Sequence, residues 1–269
     1  MAWGRPRSNV DDLVAKVRAG THESICILPM RVFNASQAAS LAAAMEECDT
    51  LTELDCRKHD IGEEGMRSLA SCLPRLRRLR KLRVGHNPLP ASAVRLLTEG
   101  LADNHSIHEL DLDDRGVDAE GAALLAEVVR SHPSLQSLRL ANNRISLGGV
   151  TALAEAMRHR WLSASLPTLQ ELDLSRGNLG AADLIPLANV LHDCSDGGCL
   201  RILRLSGNPL SGHEHFWEAL GNALALEELH LSDCQISHHD ISSLLSPRCV
   251  SFMEPQADTR FRSSLPRSR

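Results

Sequence analysis

The chain has 269 residues, a formal net charge of −5 and 43% hydrophobic residues, with aromatics at only 3% and no tyrosine. That gives room for one large domain or two small ones, with an aliphatic core built from many similar small layers. No apolar run approaches the roughly 18 residues of a membrane span. The opening MAWGRPRSNVDD lacks the apolar stretch of a secretory signal, and its absence points to a cytoplasmic protein.

Residues 9–20 read as a helix: Asn9 as N-cap, Asp11 and Asp12 in the first turn, Val10, Leu13, Val14 and Val17 as the apolar face, and Gly20 as the stop. This makes residues 1–21 an N-terminal tail and cap. From His22 a pattern begins that dominates the chain, L-x-x-L-x-L-x-x-N-x-L. Its first copy is worn, with Ile25, Ile27 and Val32 in the apolar slots. Well-formed copies start at Leu51, Leu79, Ile107, Leu135, Leu169, Leu200 and Leu226, spaced 28, 28, 28, 34, 31 and 26 residues apart. After each comes a helical pattern, as in IGEEGMRSLASCL (61–73) and VDAEGAALLAEVV (117–129), with apolar residues at three- and four-residue steps. The eighth copy closes near Leu245. Residues 246–269 show no periodicity, hold five arginines against two acids, and read as a disordered basic tail.

Over residues 22–245 the chain resembles the leucine-rich repeat family, in its long-repeat, ribonuclease-inhibitor-like subclass. The resemblance implies an α/β solenoid: a horseshoe with a parallel sheet on the concave face and helices on the convex face. The physics agrees, because one 28-residue unit holds a strand, a helix and two short loops but cannot bury its own apolar face without neighbours.

The slot between the second and third apolar positions of each copy faces the concave side. It reads Cys26, Asp55, Arg83, Asp111, Arg139, Asp173, Arg204, His230, alternating in sign from the second copy to the seventh. A column two residues earlier reads Glu53, Lys81, Glu109, Ser137, Glu171, Ile202, Glu228. The asparagine slot alternates too, with Asn87, Asn143 and Asn208 against His59, Arg115, Gly177 and Cys234. The true unit is therefore a double repeat of about 56 residues. Parallel, in-register columns place like residues side by side, so alternation turns repulsion into a ladder of partly exposed ion pairs.

The banded concave charge suits a protein partner with charges of its own and lacks the continuous positive track of a nucleic-acid site. Candidate partner-binding residues are Arg80, Lys81, Arg83, Asp111, Asp113, Asp114, Arg139, Asp173, Arg176, Arg204, His230 and Asp233. Trp161, in the insertion RHRWLSASLPT (158–168), either plugs a longer helix or stands out as an anchor. In RLRRLRKLR (75–83), leucines thread through the cations, so the segment is a structured loop and strand that could take a phosphate or acidic peptide. His213, His215, His238, His239 and Asp240 read as solvent-exposed loop residues and not as a metal site. The eight cysteines read as reduced thiols, including Cys194 and Cys199 around SDGG. Arg260 four residues before Ser264, with Pro266 after it, makes Ser264 a candidate phosphosite.

No phosphate loop, nucleophile elbow or tuned carboxylate pair is present in the sequence, and no cofactor is expected. The reading is a non-enzymatic scaffold, monomeric on its own, binding a protein partner and neither nucleic acid nor membrane. Three similarities set the alternatives. Ran GTPase-activating proteins carry similar repeats, but there an acidic segment follows them, whereas residues 246–269 are basic. Tropomodulin-type actin-end binders and the sensing modules of NOD-like receptors are the others.

Overall fold

Only three residues of each copy form a strand, and the middle one is the apolar residue that the pattern repeats. The structure is a computed structural model that describes residues 10–85, 90–163, 168–194, 200–245 and 260–262. Asn87, Cys199, Cys249 and Ser264 lie outside them. The chain divides into two compact units, residues 1–117 with 131–135 and residues 118–130 with 136–269.

In the first unit β1 (Ser24–Cys26), β2 (Glu53–Asp55), β3 (Lys81–Arg83) and β4 (Glu109–Asp111) run parallel in that order. The helices α1 (Asp11–Arg18), α2 (Ala35–Glu46), α3 (Gly62–Cys72) and α4 (Ala91–Ala102) alternate with them. Leu54, Leu82 and Leu110, central in their strands, are buried with Leu41, Leu69 and Leu97 of the helices. Alternation along the strand forces this, sending the flanking residues to the opposite face.

The second unit repeats the plan. It holds α5 (Ala119–Ser131), β5 (Ser137–Arg139), α6 (Ser146–Ser163), β6 (Glu171–Asp173), α7 (Ala181–Asp193), β7 (Ile202–Arg204), α8 (Glu214–Gly221), β8 (Glu228–His230) and α9 (His238–Leu244). Strands β5 to β8 are parallel, and Leu138, Leu172, Leu203 and Leu229 face the helices. This is the α/β architecture of a leucine-rich repeat solenoid.

Four local features differ from the sequence expectation. The first helix begins at Asp11, with Val10 at its N-cap and no side-chain cap, because Val10 is fully buried beneath it. Gly20 does stop it, at φ +62°. In the worn first copy Phe33 is buried while Val32 is half-buried, since Phe33 packs edge-on against His59 at 5.5 Å between ring centres. Cys194, at the end of α7, is disulfide-bonded, whereas Cys26, Cys48, Cys56, Cys72 and Cys234 are free thiols. Finally, Arg260–Arg262 forms a strand, β9, antiparallel to β8, inside the segment expected to lack structure. Three residues carry no readable period; the open edge of the last parallel strand is what selects them.

Candidate functional site

The first and third residues of every strand share the sheet face that the helices leave open. The pairing puts Ser24, Glu53, Lys81 and Glu109 in one column of the first unit, and Cys26, Asp55, Arg83 and Asp111 in the other. The second unit has Ser137, Glu171, Ile202 and Glu228 beside Arg139, Asp173, Arg204 and His230. The register of the charged columns is therefore as the repeat implies, but the ion pairs within them are arranged differently.

The aspartates turn inward. Asp55, Asp111 and Asp173 are buried, and each accepts the backbone N–H two residues on: Arg57 at 3.1 Å, Asp113 at 3.1 Å and Ser175 at 2.9 Å. A short acceptor side chain at a strand end closes the following turn in this way. Gly85 makes room for one of these turns, since a Cβ there would come within 2.8 Å of both Asp111 Oδ1 and the Asp113 carbonyl. Arg57 then spans two of the acids. Its Nε and Nη2 donate to Asp55 at 3.0 and 2.7 Å, and its Nη1 lies 3.5 Å from Asp111 Oδ2. Burial works against the Asp55 charge, but the bonds from Arg57 outweigh it and hold its pKa below the ordinary 3.8.

With the aspartates engaged in turns, the arginines reach across to the glutamate column. Arg83 donates to Glu53 and, at 2.9 Å, to Glu109, which Lys81 also approaches at 3.5 Å. Burial opposes the Arg83 charge, yet these glutamates keep its pKa raised, and Glu109 is lowered in return. Arg204 donates to Glu171, and His230 sits 3.4 Å from Glu228. The expected rungs within one column thus become diagonals between two.

Arg139 is the exception. Ser137 stands where five other copies carry a charged residue, and Glu171 is taken by Arg204 and by the Ser137 hydroxyl at 3.1 Å. What remains is Asp173 at 3.9 Å, and Arg139 Nε, hidden from solvent, has no hydrogen-bond partner. The side chain is nonetheless 34% exposed.

The other candidates scatter around this face. Lys58, Asp114, Asn142, Arg176, Gly207 and Asp233 hold one equivalent position after their strands, all with positive φ. Asparagine, aspartate and glycine tolerate that conformation best, so Asp114 and Asp233 suit the turn by their chemistry. Arg176 is exposed and crosses Gly207, where a Cβ would meet its Cγ at 2.8 Å. Asp113 is half-buried. Arg80 lies before β3, with Nη1 3.4 Å from His108 Nε2 and from the Ser106 carbonyl. Trp161 is half-buried near the end of α6.

A Leucine Rich repeat family model matches residues 47–70, 131–154 and 165–188, and a Leucine Rich Repeat model matches residues 225–246. These four stretches are leucine-rich repeats. No curated protein sequence matches it. Among solved structures, one titled leiomodin-1 actin-binding site 2 is similar, at 12% identity and a TM-score of 0.42, over 67% of this chain and 86% of that one. A likeness at that score says nothing of actin for the leucine-rich repeats here.

The alternating slot of these repeats has one structural job in several chemistries. His59 Nε2 lies 3.0 Å from the Ile27 carbonyl, Asn208 Nδ2 donates to Leu174 at 2.9 Å, and Cys234 Sγ reaches Leu205 at 3.2 Å. Each is the carbonyl ending the preceding strand's apolar run, so these three slot residues satisfy it with a buried donor, while Gly177 brings no side chain to the same slot. Arg115 fills it fully buried, and burial lowers its pKa. Burial also pushes the Cys56 and Cys72 thiols up to about 12, which makes them inert. Asp240 is buried inside the first turn of α9, where it accepts from the N–H and hydroxyl of the N-cap Ser237 and from the Gly212 N–H. Among the described residues no three His, Cys, Asp or Glu side chains converge on a point, and no helix is long and apolar enough to cross a membrane. Arg57 is the member of the charged face that the repeat pattern alone does not reveal. It lies outside both columns, though its place two residues after the ELD strand is a visible signal.

Proposed function

We propose that this leucine-rich repeat protein is a non-enzymatic scaffold whose open sheet face, centred on Arg139, binds a protein partner that presents a carboxylate. The observation that carries this is the incomplete pairing of Arg139. Arg83 and Arg204 are closed by glutamates, while Arg139 keeps donors to spare on a rigid strand. Arginine on a partly desolvated, pre-set surface is a frequent anchor of protein interfaces. Ile202, half-buried in the neighbouring column between Glu171 and Glu228, adds an apolar spot to the same face. Arg176, Arg204, His230 and Asp233 of the same unit would form its surround.

The test is quantitative capture from native lysate by wild type, by Arg139→Ala and by Arg201→Ala. Arg201 is an exposed arginine before β7 whose charge is met by Glu227 at 2.5 Å. A protein held by wild type and by Arg201→Ala, and lost with Arg139→Ala at an unchanged melting temperature, supports the proposal. The same proteins retained by all three chains refute it.

A further inference from the structure

Residues 75–81, which lead into β3 in the first unit, hold five cations: Arg75, Arg77, Arg78, Arg80 and Lys81. The leucines between and before them fix the loop, since Leu73, Leu76 and Leu79 are buried. The next loop pins it from one side. Asn104 Nδ2 donates to the Leu73 carbonyl at 2.6 Å, and the Ser106 hydroxyl donates to the Leu76 carbonyl at 2.5 Å. The Arg80 amide donates to the Thr52 carbonyl at 2.7 Å, and its own carbonyl accepts from the His108 amide at 2.7 Å. The cations therefore stand on an ordered base, so little backbone entropy is lost when they take a ligand.

Two of the five charges are met nearby, Arg75 by Glu46 at 2.6 Å and Lys81 by Glu109 at 3.5 Å. Arg77, Arg78 and Arg80 are exposed, and among the described residues none of the three meets a carboxylate. Arg80 is nonetheless oriented. His108 Nδ1 donates to the Ser106 carbonyl at 2.7 Å, which leaves its Nε2 lone pair for Arg80 Nη1 at 3.4 Å.

The patch is short and has acids on both sides. Exposed Glu46, Glu47 and Asp49 stand before β2, and exposed Asp103 stands before β4. Nucleic acid asks for a longer positive track, and an anionic membrane would meet those acids along with the arginines. A peptide with a few closely spaced carboxylates fits the width, because each guanidinium takes a carboxylate through paired N–H donors.

We propose that Arg77, Arg78 and Arg80 form a docking surface for an extended, Asp/Glu-rich segment of a partner protein. This surface lies on the loops of the first unit and does not depend on the reading of the open face.

The experiment uses the full chain and a labelled peptide of alternating glutamate and serine, with its glutamine counterpart as the blank. Fluorescence anisotropy gives Kd for wild type, for Arg77→Glu with Arg78→Glu, and for Arg80→Glu. Lys16→Glu with Arg144→Glu, on exposed cations elsewhere, is the charge-matched control. The Arg77 and Arg78 double variant should bind at least about tenfold more weakly than wild type, the control within about twofold, and wild-type binding should weaken as salt rises. Arg80→Glu should move in the same direction as the double variant. Melting temperatures should be unchanged; if charge reversal lowers them, Arg77→Gln with Arg78→Gln carries the same test. No binding of the glutamate peptide by wild type overturns the proposal, as does equal binding by wild type and the double variant, or an equal loss in the control. Tighter binding of a DNA duplex or of phosphatidylserine vesicles through the same arginines would assign the patch to another class of partner and equally overturn it.

Discussion

At the scale of single residues, the aspartates and the arginines of one column do different work. Asp111 is fully buried, its Oδ1 closes a turn and its Oδ2 faces Arg57. Asp111→Ala should therefore cost about 1–3 kcal/mol, read as a lower denaturant midpoint, because a buried donor loses its acceptor. Arg139→Asp should cost about 1 kcal/mol or less, since it sets an acid beside Asp173 on an exposed face, and the cost should shrink as salt rises. The pH dependence follows from Asp55 and Glu109, whose folded pKa values lie below the ordinary 3.8 and 4.5. Their contribution is complete above those values and is lost as pH falls past them through the lowered folded ones. Stability measured from pH 7 to pH 3 should fall less steeply in Arg57→Ala than in wild type, and equal slopes would show that Arg57 does not hold Asp55. The sequence made the columns and their signs legible, because a repeat fixes register. It did not make the diagonals legible. Which acid an arginine reaches depends on side-chain length, and on the Asp carboxylates being committed to the turn, neither of which a column of letters displays.

At the scale of elements, the helices pack closely where the repeat places glycine or alanine. Gly148 and Gly149 are adjacent in α6 yet face different surroundings. A Cβ at Gly148 would meet Ala119 at a comfortable 3.8 Å, whereas one at Gly149 would come within 2.4 Å of Ile145 and 2.7 Å of Ala122. Gly148→Ala should be neutral or stabilising by up to about 1 kcal/mol through helix propensity. Gly149→Ala should destabilise by about 1–3 kcal/mol through overpacking. Thermal melts of the two single variants check the opposite signs. Helix and strand positions were readable here from apolar spacing. The N-terminal helix starts one residue later than read, with Val10 at its N-cap, while the burial of Val10 is as the apolar spacing implied and Asn9 lies outside the described residues. β9 was not readable, since an edge chooses its partner by open backbone groups, which leave no mark on a three-residue sequence.

At the scale of the whole molecule, a repeat array has nearest-neighbour stability, so its ends matter most. Val14 and Val17 of α1 and the N-cap Val10 are buried, and α1 packs on α2 of the first copy. Removing residues 1–20 should expose that face, and β1 should lose hydrogen-exchange protection before β2 and β3 do. Uniform loss across the three strands would contradict end-fraying.

The claim on which the functional account rests is that a partner lies on the open face and not on the helices. Photo-crosslinking from Ile202, on the open face of β7, against crosslinking from Glu155, exposed on α6, tests it directly. The account predicts adducts with one protein from Ile202, abolished by Arg139→Ala, and none from Glu155. Adducts from Glu155 alone, or adducts from Ile202 that survive Arg139→Ala undiminished, would contradict it.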